Sequence, residues 1–87
     1  MRIIAIRNVE RKDAPIYYRL AYTGIATIEL STGTNNYRVD FTIEMTPLGG
    51  KKIAATFLDG IDYPLVPVMK AMKDFIEAAH ANGELPD

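Results

Sequence analysis

The 87 residues are 48% hydrophobic and 24% charged, with ten Lys and Arg against eleven Asp and Glu, a net charge of −1 and no cysteine. Such a composition excludes an intrinsically disordered chain, which needs low hydrophobicity and high net charge, and it excludes disulfides, thiolate metal sites and cysteine nucleophiles. The near-neutral balance weighs against sequence-independent capture of polyanions, and the length supports one core and so one domain, 1–87.

The opening run Met1-Arg2-Ile3-Ile4-Ala5-Ile6 is too short, and too soon interrupted by Arg7, for a signal peptide or a membrane span. A cytoplasmic location with no membrane partner is therefore the expectation. Residues 2–7 read as a first strand with apolar residues on both faces, followed by a polar connection from Asn8 to Pro15. Residues 16–22 alternate, with Ile16, Tyr18, Leu20 and Tyr22 in one row and Tyr17, Arg19 and Ala21 in the other. Thr23-Gly24 then offers a tight turn or a bulge into a third strand at 25–31, where Ala26, Ile28 and Leu30 share one side. Thr32-Gly33-Thr34-Asn35-Asn36 is rich in turn formers and leads into the fourth strand, 37–46.

That fourth strand carries the clearest pattern in the chain. Tyr37, Val39, Phe41, Ile43 and Met45 point one way and Arg38, Asp40, Thr42 and Glu44 the other, as expected of a strand with one buried and one wet face. Pro47-Leu48-Gly49-Gly50 reverses the chain, and residues 51–58 return with Ile53, Ala55 and Phe57 on the apolar side. After this the period changes to that of a helix. Val68, Met69, Met72, Phe75, Ile76 and Ala79 form one stripe, with Leu65 a turn upstream, in a helix over about 65–82. Pro67 fits the first helical position, Asn82-Gly83 a left-handed stop, and Pro86 forbids continuation.

The reading is thus an α+β domain: an antiparallel five-stranded β-meander followed by one C-terminal amphipathic helix packed on one sheet face. The apolar residues Ile3, Ala5 and either Ile25 or Ile28 fall on the side one helix cannot cover. They point to a non-catalytic binding or assembly module that self-associates, as a homodimer or larger homo-oligomer, or meets another protein partner.

No residue is assigned a catalytic, cofactor-binding or metal-binding role, and no cofactor is expected. His80 lies in the last helical turn, where a cation favours the helix dipole. Asp59-Gly60-Ile61-Asp62 holds two acids but not the spacing of a calcium loop, and reads as a turn. Asp40 and Glu44 stand about 13 Å apart on one strand, beyond the usual separation of a glycosidase pair, and suit cross-strand pairing with bases such as Lys52. Leu48-Gly49-Gly50-Lys51-Lys52 joins strand to strand and lacks the spacing of a phosphate loop.

Two other function classes stay open. Tyr17, Arg19 and Arg38 lie where aromatic and guanidinium groups on a sheet could stack single-stranded bases, making a single-stranded nucleic-acid binder the alternative. A curved meander followed by one helix is also the layout of the Pur-alpha and Whirly single-stranded DNA binders, an analogy of element order with no motif residues behind it. The third reading, a small enzyme or accessory subunit, needs a composite site at a dimer interface.

Overall fold

The computed structural model describes residues 1–12 and 18–86. Its elements are β1 (Arg2–Lys12), β2 (Arg19–Leu30), β3 (Gly33–Met45), β4 (Lys51–Phe57) and α1 (Leu65–Ala81), with the strands in one sheet in the order β1-β2-β3-β4 and every neighbour antiparallel. The fold is α+β, but the described residues form four strands where the sequence predicts five.

The difference lies at Thr23-Gly24. Instead of turning, this pair sits inside β2, where Thr23 faces Asp40 and Gly24 faces Val39 in a register that runs unbroken from Arg19↔Glu44 to Leu30↔Gly33. Tyr18, Leu20, Tyr22, Gly24, Ala26, Ile28 and Leu30 all share one parity, and a hairpin would have had to reset it. The glycine answers a different need. A Cβ there would lie 3.1 Å from Cγ2 of Ile6, 3.3 Å from the Arg7 carbonyl oxygen and 3.3 Å from Cγ2 of Val9. At that point β1 bulges, with register shifts between Ile3 and Ala5 and between Arg7 and Glu10 and a positive φ of 53° at Asn8. A glycine in a strand interior often marks such a close approach.

Two other boundaries move for local reasons. β1 continues to Lys12 through the stretch expected to be a loop, because Glu10, Arg11 and Lys12 resume pairing with Thr23, Tyr22 and Ala21 after the bulge. The turn before β3 shrinks to Ser31 and Thr32, and Gly33, at φ 134°, closes the hairpin opposite Leu30. The predicted strand 16–22 begins at Arg19 in the structure, since Ile16 and Tyr17 lie outside the described residues.

α1 starts at Leu65 after Pro64, which places Pro67 third rather than first. Its missing N–H still falls among the four that a helix start leaves unpaired. At the other end Gly83, at φ 69°, donates to the His80 carbonyl at 3.1 Å and Glu84 donates to that of Ala79 at 2.9 Å, so the glycine ends the helix in the left-handed conformation. Val68, Met72 and Ile76 of α1 belong to the same buried cluster as Tyr22 and Ile28 of β2 and Val39, Phe41 and Ile43 of β3. The rings of Tyr22 and Phe41 stack at 5.1 Å within it. The helix backbone comes within 8 Å of both edge strands, β1 and β4, so the sheet curls about it. No helix among the described residues is long and apolar enough to cross a membrane.

Ile76 is fully buried in this cluster. Ile76→Ala is expected to cost ~2–5 kcal/mol, measured as a lowered midpoint in chemical denaturation at unchanged slope; an unchanged midpoint would contradict the shared core.

Candidate functional site

The parity that buries one row of each central strand fixes the chemistry of the other. On the face away from the core cluster, Arg19 meets Glu44 at 2.8 Å, Lys12 meets Asp40 at 3.2 Å and Arg2 meets Glu29 at 3.5 Å. Arg7 donates to the Asn36 side-chain oxygen at 3.1 Å, and so does the Thr27 hydroxyl at 2.7 Å. Arg38 and Asp59 form the most extensively bonded pair. The Arg38 backbone N–H donates to Oδ2 at 2.8 Å while Nη2 donates to Oδ1 at 2.7 Å. These bonds, led by the guanidinium, hold the Asp59 carboxyl below its ordinary pKa. Exposed pairs of this kind contribute little stability, so the network aligns strands more than it holds them.

Arg19 and Arg38, named from sequence as nucleic-acid contacts, therefore share this face, each engaged by a carboxylate; Tyr17 lies outside the described residues. Asp40 and Glu44 do pair across strands, but with Lys12 and Arg19 rather than Lys52. Asp59 is taken by Arg38, and no group of three or more acidic or histidine side chains among the described residues could hold a metal. Of the apolar residues expected on the uncovered side, Ile28 is fully buried, Ile3 stands opposite it and packs against the core, and Ile25 alone stays on the polar face, opposite Arg38.

A concave site lies at the opposite end of the sheet from the β2–β3 hairpin. The last turn of α1 and the residues after it descend onto the ends of β1 and β2, and Arg11, Leu20, Tyr22, His80, Gly83, Leu85 and Pro86 enclose a cavity of about 250 Å³. The Tyr22 hydroxyl donates to the Pro86 carbonyl at 3.1 Å and ties this segment down. The Arg11 guanidinium stands 6.0 Å from the centroid of the same ring, within cation–π range. His80 has its Nδ1 buried with no partner among the described residues, and its pKa is lowered first by burial and then by the charge of Lys51. Sequence reasoning missed Arg11 and Tyr22 as neighbours of His80. The bulge at Asn8, which turns Arg11 toward Tyr22, leaves no periodic trace, and the return of Leu85 and Pro86 onto the sheet is a tertiary event.

A model of the BB_0187 family matches residues 1–80. The chain belongs to that family. The match spans all four strands and α1 as far as His80, so Arg11, Leu20, Tyr22 and His80 lie inside it and Gly83, Leu85 and Pro86 beyond it. No curated protein and no solved structure matches the chain.

His80 is the single histidine, so its ring can be followed alone by NMR. It is expected to titrate below its ordinary value of 6.5. A depressed folded pKa gives stability that is complete above the unfolded value and is lost as pH falls through the folded one. Wild type should therefore lose stability relative to His80→Gln as pH falls from about 7 to about 5; a parallel dependence in the two proteins would contradict the burial of the ring.

Proposed function

We propose that this chain is a non-catalytic binding or assembly module that joins a second copy of itself along the outer edge of β4. The observation that carries this reading is the contrast between the two sheet edges. β1 is broken by two register shifts and a positive φ at Asn8, the irregularities with which proteins blunt an edge. β4 has none, and its row of Ile53, Ala55 and Phe57 is only half-buried.

In this reading α1 roofs one face of the sheet and supplies the other wall of the seat. Phe75 and Ile76 line a cleft with Ala5, Ile6 and Val9 of β1, whereas His80 lies near Lys51 of β4, so the helix turns opposite flanks to the two edges. The flank on the β4 side carries Leu65, Val66 and Met69, with Val66 83% exposed. An added antiparallel strand would extend the ladder and rest its inward side chains on that flank. A two-fold axis through such a pair sets the same apolar surface against itself and keeps Lys51 and Lys52 of the two copies apart.

Sedimentation at about 50 µM should show a dimer, the range in which a micromolar interface is populated. Ala54→Lys, at an exposed position in mid-strand, should give a folded monomer by placing two lysines close together across the axis. A wild-type monomer, or a variant that still dimerises fully, would refute the edge-pairing reading.

A second reading is favoured by the shared face of Arg19 and Arg38: a single-stranded nucleic-acid binder in which phosphates compete with Glu44 and Asp59 for those guanidinium groups. Fluorescence anisotropy with a labelled oligonucleotide should then show binding that weakens with salt and is reduced in Arg19→Ala and Arg38→Ala. Absence of binding at low salt ends this reading.

A further inference from the structure

We propose that the cavity beneath the C-terminal end of α1 binds a small carboxylic acid with a short apolar body, its carboxylate held by Arg11 and its body against Leu20, Tyr22 and Leu85. The site is separate from the β4 edge and does not depend on self-association.

The argument starts from two groups whose bonding capacity is unspent. Arg2, Lys12, Arg19, Arg38 and Lys70 each meet a carboxylate, yet among the described residues no carboxylate lies within ion-pair distance of Arg11. Its guanidinium is parked over the Tyr22 ring at the cavity wall. A planar guanidinium offers a fork of donors that matches a carboxylate with two parallel bonds. On the same wall stands His80, whose Nδ1 is buried and unpartnered. A buried polar atom without a partner costs free energy, and native structures rarely leave one so. With a proton on Nδ1 the ring donates to an anion, giving the bound carboxylate a second contact.

Size and lining choose among anions. About 250 Å³ suits an acid of a few carbons, not a nucleotide or an extended peptide. Leu20, Leu85, Pro86 and the face of Tyr22 make the remaining walls apolar, which favours an acid with a hydrocarbon body over inorganic phosphate. The charged and titratable groups around His80 set its response. Arg11 comes from β1, Tyr22 from β2 and Lys51 from β4, while Glu77 lies one turn earlier on α1 and Glu84 follows the helix. A carboxylate entering between Arg11 and His80 offsets the positive charges and raises the pKa of the ring.

The test uses the full chain with butyrate as probe and the His80 ring signals as readout. Butyrate titrated to about 10 mM, enough to fill a millimolar site, should shift those signals saturably and raise the midpoint of the His80 titration. Butanol and inorganic phosphate at the same concentration should do neither. In Arg11→Gln, an exposed position whose amide spectrum should otherwise match wild type, butyrate affinity should fall about tenfold or more, as expected for a lost charge-assisted bond. A non-saturable response, an equal response to butanol or phosphate, or undiminished binding in Arg11→Gln overturns the proposal.

Discussion

The unbroken pairing of β2 with β3 is the constraint on which the rest of the molecule depends. Twelve residue pairs from Arg19↔Glu44 to Leu30↔Gly33 run without a shift, so one parity of each strand lies on one face for its full length. A slip of one residue would turn Tyr22, Ile28, Phe41 and Ile43 outward together. Everything apolar in the sheet is committed to one register, and the two-residue hairpin at Ser31-Thr32 enforces it from one end. Stacking of Tyr22 on Phe41 and the arrival of Val68, Met72 and Ile76 in the same cluster then tie the central pair to the helix.

The wet face follows from the same register. Once the odd-numbered residues of β2 and the even-numbered residues of β3 look outward, Arg19 falls beside Glu44 and Ile25 beside Arg38. β1 extends the pattern only by breaking its own regularity. The bulge around Asn8 brings Arg11 over the ring of Tyr22 and Lys12 to Asp40, so one local distortion supplies both a cavity wall and a surface pair.

Much of this is legible in the chain. The alternation of Tyr37 to Met45, the apolar return through Ile53, Ala55 and Phe57, and the helical stripe from Val68 to Ala79 each report burial directly, because burial selects side chains at a fixed spacing. The expected fifth strand rests on the turn chemistry of Thr23-Gly24. The even-numbered row nevertheless continues through that pair in phase, and phase outweighs the identity of one residue. What leaves no periodic signature stays hidden: the bulge at Asn8, and the docking of Pro86 on Tyr22 across 64 residues of sequence. The grouping of Arg11 with His80 depends on both, which is why that site is visible only in three dimensions. Asp59, by contrast, reads from sequence as part of a turn, and its place as an anchor for Arg38 fits that position just after β4.

The kinked course of β1 has an effect beyond its own neighbourhood. A sheet whose two borders were equally smooth could recruit neighbours on either side without limit and grow into a fibre. Here one border is crooked and the other straight, so joining straight border to straight border consumes both free rims at once and leaves only crooked ones exposed. The distortion that Gly24 makes room for is thus also a terminator, a feature that protects a chain rich in β-branched residues from open-ended polymerisation.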